Sequence, residues 1–259
     1  MTDSRQRGLD AFVRAVTLVR EKVESFERYP FSIPAIRALD SLDLHPNVTF
    51  FVGENGSGKS TLIEAIAVAA RFNAEGGSQN FNFATRRSES ELHTALRLVR
   101  GVRRPKTGYF LRAESYFNVA TEVDRIAREV PSGRTVLEAH GGRSLHEQSH
   151  GESFLALVQN RFYANGLYIL DEPEAALSPQ RQLSFLVSLH ELSRRKNCQF
   201  IIATHSPIIL AYPDATIYGL GSDGVTKVAY EDTEHYALTR DFLQNRERYL
   251  RRLLGNGEG

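Results

Sequence analysis

Residues 53–60, with the sequence GENGSGKS, combine glycines with a lysine and a hydroxyl at fixed spacing. They match the pattern G-x-x-x-x-G-K-[ST] in full, in which backbone N–H groups surround phosphate oxygens. In such a loop the lysine, here Lys59, reaches the β- and γ-phosphates, and the hydroxyl, here Ser60, ligates Mg²⁺. The segment therefore predicts a site for a nucleoside triphosphate with Mg²⁺. The residues expected to contact this ligand are Gly53, Glu54, Asn55, Gly56, Ser57, Gly58, Lys59, Ser60 and Thr61.

An acidic pair, Asp171 and Glu172, ends the apolar run GLYIL. A carboxylate at the end of a buried strand beside the phosphate loop suits a water-mediated contact to Mg²⁺, and a second carboxylate can polarise an attacking water. An exposed Asp-Glu pair is usually only solvated, but the apolar run before this one favours the catalytic interpretation. The pair thus predicts Asp171 at the metal and Glu172 at the water.

A histidine, His205, ends a third apolar run, CQFIIATHSP. A lone histidine is more often structural than catalytic. In parallel α/β sheets, however, the carboxyl ends of the strands form the ligand crevice. Placed there, His205 is able to donate to the γ-phosphate and to the attacking water.

The elements around these residues fit an α/β nucleotide-binding core. The run NVTFFV before the phosphate loop predicts a buried strand, and TLIEAIAVAA after it predicts a helix. A second helix is predicted from Ser178, a candidate N-cap followed by proline, to Asn197, which follows a basic last turn. The N-terminal segment FVRAVTLVREKVESF fits either a strand or a helix, and we favour a strand.

The composition is that of an ordinary globular protein. The 259-residue chain has a formal net charge of +1, which excludes a uniformly basic coat for nucleic acid but allows a local basic patch. The single cysteine, Cys198, excludes an internal disulfide and fits a reducing compartment. No apolar stretch approaches the ~20 residues of a membrane helix, and the polar N-terminus is unlike a secretory signal. We therefore expect a soluble, cytoplasmic protein without membrane insertion.

The middle of the chain, about residues 73–150, differs from its flanks, because it is polar and rich in glycine and arginine. We interpret it as a lobe inserted into one core that consists of residues 1–72 and 151–259. On this interpretation residues 1–259 form a single domain.

Together these motifs resemble the ATP-binding-cassette (ABC) ATPases. Residues 53–60 match the Walker A motif, LYILDE matches Walker B with Glu172 as the catalytic base, and His205 matches the switch histidine. The resemblance covers the chain from about residue 29 to 206. It implies a doubly wound, mainly parallel sheet with an antiparallel β portion and a small inserted helical lobe. It also implies Mg²⁺-dependent hydrolysis of ATP.

The stretch SHGES resembles the ABC signature, which begins a helix just upstream of Walker B. Ser149, Gly151 and Glu152 match it, whereas Gln148 and His150 depart from its usual leucine and first glycine. In that family the signature of one subunit contacts the γ-phosphate held by the other subunit, and a hydroxyl, a glycine N–H and a helix N-terminus suit an anion. The resemblance therefore implies an ATP-sandwiched, head-to-tail homodimer with two composite sites.

Other positions depart from the family pattern. The segment PEAALS matches the D-loop, except that Ser178 replaces the usual aspartate. Glu114 stands where the metal-contacting glutamine of the Q-loop is usual, and Gln79 is a second candidate. An aromatic residue that stacks on adenine should precede the phosphate-loop strand, and Tyr29 or Phe31 fits that place.

The segment that contains the acidic pair indicates which branch of the family the chain resembles, and the branch suggests the kind of partner. Transport ATPases usually read DEPTSALD, whereas DEPEAALSP looks more like the RecF, OLD-nuclease and SMC side, which acts on DNA or in defence and repair. The stretch between Ser60 and Ser149 is too short for the coiled-coil arm of SMC proteins. We expect a compact, armless ATPase that uses ATP to close a dimer. A transporter subunit with a separate membrane protein, or an ATP-dependent switch for a protein partner, is the alternative.

A basic segment, residues 86–112, is the best clue to a nucleic-acid partner. Neutralisation of phosphates by such a cluster would give salt-sensitive binding of DNA or RNA. Most charge runs are only solvated surfaces, so the alternative is an ordinary lobe surface from which one arginine reaches ATP. The basic residues of the segment are Arg86, Arg87, Arg97, Arg100, Arg103, Arg104, Lys106 and Arg112.

Overall fold

A computed structural model describes residues 11–78, 90–112 and 150–255 of the chain. Its strands are β1 (Val13–Leu18), β2 (Ser41–Asp43), β3 (Val48–Val52), β4 (Gly77–Ser78), β5 (Leu96–Arg100), β6 (Thr107–Arg112), β7 (Gly166–Asp171), β8 (Gln199–Ala203), β9 (Thr216–Gly221) and β10 (Gly224–Lys227). Its α-helices are α1 (Pro34–Arg37), α2 (Lys59–Ala69), α3 (Leu92–Ala95), α4 (His150–Arg161), α5 (Pro179–His190), α6 (Pro207–Leu210), α7 (Glu234–Gln244) and α8 (Arg246–Leu254).

The main sheet has the strand order β10-β9-β3-β8-β7-β6-β4. Strands β9, β3, β8, β7 and β6 run parallel, whereas β10 and β4 pair antiparallel at the two edges. Every residue of β3, β7 and β8 is buried, as expected for parallel strands that are covered on both faces. The predicted α/β fold, mainly parallel with an antiparallel portion, is confirmed.

A second, antiparallel sheet has the order β2-β1-β5. One hydrophobic cluster joins this small sheet, α2 and one face of the main sheet, and it includes Val16, Ile66 and Phe110. A second cluster covers the opposite face with α4 and α5, where the rings of Phe154 and Phe185 meet edge to face. The main sheet is therefore enclosed between two apolar layers, which leaves the ends of its strands for a site.

The local predictions agree closely with these elements. The N-terminal segment is a strand over Val13–Leu18 and then a short 3₁₀ turn, Arg20–Lys22. Ser178 is the N-cap of α5 and accepts a hydrogen bond from the Arg181 backbone N–H, with Pro179 at the first helical position. After a π-helical turn the chain leaves this helix at Asn197, whose φ is +52°.

Part of the predicted inserted lobe, about residues 73–150, belongs to the core. Strand β6 pairs in parallel with β7 along its length, and β5 pairs with β1, so residues 96–100 and 107–112 belong to the sheets of the core. These residues were predicted to lie in the inserted lobe, because the apolar run TGYFLR stands among arginines. Most of the remaining lobe, residues 79–89 and 113–149, lies outside the described residues.

The described part of the chain contains no helix that is long and apolar enough to span a membrane.

Candidate active site

The phosphate loop connects β3 to α2, at the carboxyl edge of the parallel sheet. Gly58, the residue before α2, has φ +98°, and a Cβ there would lie 2.9 Å from Ile33 Cγ2. A Cβ at Gly53 would collide with the Leu220 carbonyl oxygen of β9. Both positions therefore require glycine. Ser57 Oγ is buried without a hydrogen-bond partner among the described residues, which fits a loop that accommodates polar oxygens of a ligand.

Lys59 lies inside this loop and is 4% exposed. Its Nζ donates to the carbonyl oxygens of Gly53 and Glu54, both at 2.8 Å. Burial lowers the pKa of Lys59, and the nearby carboxylates of Glu172 and Asp171 oppose this effect. A buried positive charge is therefore held where such loops bind the β- and γ-phosphates.

The predicted metal ligands Ser60 and Asp171 are brought together across the sheet. Ser60 Oγ donates to Asp171 Oδ1 at 3.1 Å, and Asp171 is 5% exposed at the last position of β7. A hydroxyl and a carboxylate fit Mg²⁺, which usually takes one or two protein ligands and completes its shell with water and phosphate oxygens. The third predicted ligand, Glu114, lies outside the described residues.

Arg112, the last residue of the basic segment, is mostly buried beside the phosphate loop. Arg112 Nη1 lies 2.6 Å from Glu64 Oε2 on α2, and its Nε lies 3.8 Å from Asp171 Oδ2. The side chains of Arg112 and Glu64 are only 18% and 10% exposed. Parallel pairing of β6 with β7 sets Arg112 opposite Asp171, so its charge lies at the carboxyl edge of the sheet.

We expect Arg112→Met to lower the free energy of unfolding by about 3 kcal/mol, because it leaves the buried Glu64 carboxylate without its cation. Urea denaturation measures this change. The exposed pair of Arg20 and Asp40 supplies a matched control, since Arg20→Met should cost less than about 1 kcal/mol. Addition of Glu64→Gln to Arg112→Met should restore most of the loss. Wild-type stability of Arg112→Met would show that the pair contributes nothing.

Glu172, the predicted base, follows β7 directly and has a left-handed backbone, with φ +52° and ψ +54°. Its N–H donates to the Ala203 carbonyl at 2.9 Å, which fixes this conformation against β8. A non-glycine residue in this region is strained, and such strain commonly occurs at functional sites. The side chain is 39% exposed, and its Oε1 lies 3.3 Å from His205 Nε2. The two residues predicted to act on the attacking water are therefore neighbours.

Glu174 was not singled out from the sequence, although it lies in the segment PEAALS. Its carboxylate accepts hydrogen bonds from Thr204 Oγ1, at 2.7 Å, and from the His205 backbone N–H. Burial raises the pKa of this carboxyl, and the two hydrogen bonds oppose the rise. Glu174 thus joins the turn after Glu172 to the turn that carries His205.

His205 has a second neighbour that the sequence did not indicate, His235 on α7. His205 Nδ1 lies 2.8 Å from His235 Nε2. Burial and then the charge of Lys59 lower the pKa of both rings. Because these residues are thirty positions apart and on different elements, no local pattern could have predicted the contact.

Two of the three predicted signature residues are described. Gly151 is buried near the start of α4, where a Cβ would lie 2.9 Å from the Ala176 carbonyl oxygen and would also meet Arg181. Glu152 Oε1 lies 3.0 Å from Arg181 Nη2. The signature helix therefore packs beside the segment that follows Glu172. Ser149 lies outside the described residues.

The two aromatic candidates for adenine stacking differ in exposure. Phe31 is 6% exposed and packs edge to face on Phe26, so its ring is unavailable to a nucleotide. Tyr29 is 66% exposed, and its hydroxyl lies 3.2 Å from Thr61 Oγ1. Tyr29 also lines a cavity of about 440 Å³ beside Ser60. Of the two, Tyr29 remains the candidate.

A buried lysine in a glycine loop, a serine-aspartate pair for Mg²⁺ and a Glu-His pair thus meet at one edge of a mainly parallel sheet. This arrangement is that of an ATP-hydrolysing P-loop enzyme, and its motifs resemble those of the ABC ATPases. Its motifs resemble those of the RecF and SMC branch.

Comparisons with known proteins give related matches. A family model described as an AAA ATPase domain matches residues 153–210, and one described as an AAA domain matches residues 29–135. No curated protein matches the chain.

Three solved structures illustrate the similarity. The SMC head domain from Thermotoga maritima is 19% identical with a TM-score of 0.42, over 83% of this chain and 98% of that chain. CbiO1 from Clostridium perfringens, part of an ABC transporter complex, is 19% identical with a TM-score of 0.45, over 83% and 92%. A nucleotide-free ATP-binding cassette from an ABC transporter is 20% identical with a TM-score of 0.46, over 82% and 92%.

Proposed function

We propose that the chain hydrolyses ATP with Mg²⁺ in a head-to-tail homodimer, which ATP closes and hydrolysis reopens, and that it acts in DNA repair, maintenance or defence. The observation that carries the proposal is the meeting of Lys59, Ser60, Asp171, Glu172 and His205 at one edge of the sheet. Asp171 and Glu172 lie at the end of β7, His205 follows the neighbouring strand β8, and the other two residues lie in the first turn of α2.

In the chemical step, a water oxygen bonds to the γ-phosphorus while the bond from phosphorus to the ADP oxygen breaks. Glu172 orients this water and accepts its proton, and His205 donates to the γ-phosphate. Lys59 neutralises charge on the β- and γ-phosphates. Ser60 and Asp171 would hold Mg²⁺, which supplies Lewis-acid stabilisation of the same phosphate charge.

In the proposed dimer, the signature of one protomer contacts the γ-phosphate that is bound by the other protomer. The expected anion-binding half-site consists of the Ser149 hydroxyl, the Gly151 N–H and the start of the signature helix, and it is useful only opposite the phosphate loop of another protomer. Such a composite site positions the γ-phosphate between two subunits, so ATP binding and closure become the same event. The buried, side-chain-free position of Gly151 at the start of α4 is consistent with this role.

The DNA part of the proposal is supported by a group of arginines, Arg71, Arg100 and Arg104, which we call the basic edge. Burial, followed by the nearby charges of Arg104 and Arg71, lowers the pKa of Arg100. Arg103 adjoins this group and donates to Asn165 Oδ1 at 2.9 Å. Arg103 and Asn165 precede β6 and β7, at the edge of the sheet opposite the phosphate loop. Like charges gathered on one surface favour a polyanion.

We test the DNA role with Glu172→Gln, which is expected to hold ATP without hydrolysis, by measuring duplex DNA binding at two salt concentrations. Binding should require ATP and Mg²⁺ and should weaken steeply with salt. Adding Arg71→Glu and Arg104→Glu should reduce the slope of log affinity against log salt by about 2. The matched control, Arg251→Glu with Arg252→Glu on α8, has the same charge change and should retain binding.

Absence of DNA binding would point to a different partner. Dimerisation without any DNA binding would contradict the DNA role. It would favour the alternative partners, a membrane-embedded transporter subunit or a soluble protein that recognises the ATP-bound state.

A further inference from the structure

The two histidines at the active site form a pair, and only the first of them, His205, has a role in the proposed reaction. His205 Nδ1 and His235 Nε2 are 2.8 Å apart, and the ring centroids are 4.9 Å apart at an angle of 60°. One hydrogen lies between these two nitrogens, so the protonation of one ring determines what the other ring can do.

The surroundings decide which nitrogen carries the hydrogen. His205 Nε2 lies 3.3 Å from Glu172 Oε1, although without the alignment of a hydrogen bond. A carboxylate only accepts, so the neutral His205 ring is favoured with its hydrogen on Nε2. His205 Nδ1 is then an acceptor, and His235 Nε2–H must be the donor. This direction leaves His205 Nε2–H facing the reaction centre.

The protein holds His235 firmly in this place. His235 is the second residue of α7, and the Tyr230 hydroxyl just before that helix donates to the Pro207 carbonyl at 3.0 Å, two residues after His205. Thr233, which is 3% exposed, donates to the Tyr230 carbonyl at 2.7 Å. These bonds tie the start of α7 to the turn that carries His205.

We propose that His235 is a positioning residue that fixes the tautomer and ring orientation of His205 for ATP hydrolysis. The inference rests on the proposed role of His205. At metal sites a second group commonly holds the far nitrogen of a ligating histidine, and its removal typically costs about 10–100-fold in metal affinity or activity. His235 holds the far nitrogen of His205 in the same way.

The charged groups around the pair agree with two neutral rings. Lys59 of α2 faces both histidines, whereas Glu172 faces His205, and Glu54 and Glu234 face His235. Glu174 accepts from the His205 backbone N–H. Burial, then Lys59, lowers the pKa of each ring, so both stay neutral as pH falls until it reaches their lowered pKa values. His235 itself contributes to the lowering of the His205 pKa.

The test compares His235→Phe, which keeps a ring but removes the donor, with His235→Gln, whose amide can donate. We expect His235→Phe to lower kcat about tenfold with a KM for ATP within about twofold of wild type. His235→Gln should recover most of kcat. Thr239→Ala, an exposed position one turn further along α7, is the matched control.

Wild-type kcat in His235→Phe, or equal losses in the Phe and Gln variants, would overturn the inference. His205→Ala, measured in parallel, separates this failure from failure of the proposed function. If His205→Ala keeps its turnover, the role of His205 itself is wrong, and the inference falls with it. If His205→Ala is impaired and His235→Phe is not, only the inference about His235 fails.

Discussion

Replacement of Lys59 by alanine should abolish ATP turnover, with a loss of at least about 100-fold in kcat and a large loss of ATP affinity. Lys59 is the buried cation of the phosphate loop, and its Nζ is held by two backbone carbonyls at 2.8 Å. Without it, the β- and γ-phosphates would enter a loop near Asp171 and Glu172 with no lysine charge to neutralise them. Steady-state phosphate release and equilibrium titration with ATP measure the two effects.

The matched control is Lys196→Ala, which removes an exposed lysine that pairs with Glu191. Its turnover and ATP affinity should equal those of wild type. Thermal unfolding of Lys59→Ala should remain cooperative, so that a loss of turnover can be assigned to the site. Unchanged turnover in Lys59→Ala would remove the assignment of residues 53–60 as the phosphate loop.

Glu172→Gln should lower turnover by about 100-fold or more while ATP binding is retained. Glutamine keeps the shape of the side chain but cannot accept the proton of the attacking water. The residue is well placed for that role, because its backbone is fixed to Ala203 and its carboxylate lies beside His205. A single-turnover measurement of phosphate release at saturating ATP isolates this step from product release.

The control for this substitution is Glu231→Gln, an exposed carboxylate on the short turn before α7. It should leave the single-turnover rate unchanged. If Glu172→Gln releases phosphate at the wild-type rate, Glu172 is not the base. Glu174, the other carboxylate close to His205, would then become the residue to substitute.

The parts of the site that the sequence predicts are those with short-range signals. The phosphate loop is one uninterrupted segment between a buried strand and a helix. The local sequence therefore predicts both the loop residues and the two elements that flank them. Asp171, Glu172 and His205 each follow an apolar run, and parallel pairing of β3, β7 and β8 brings the ends of these runs together. The N-cap at Ser178 is equally local.

The parts that were missed depend on contacts between distant positions. Arg112 belongs to an arginine-rich run in sequence, and only the pairing of β6 with β7 shows that it faces Asp171 and Glu64. The apolar run before Arg112 resembles those before Asp171 and His205. This run is the sequence pattern that could have predicted a core strand ending at Arg112. His235 had none, since its place beside His205 follows from how α7 packs.

In the proposed function, ATP closes two copies of the chain around composite sites. The most direct measurement is sedimentation velocity of Glu172→Gln with saturating ATP and Mg²⁺, compared with the same protein without nucleotide. The account predicts that the ATP-bound variant sediments as a dimer, because bound ATP that is not hydrolysed keeps the sandwich closed. A Glu172→Gln protein that remains monomeric with saturating ATP would contradict the sandwich.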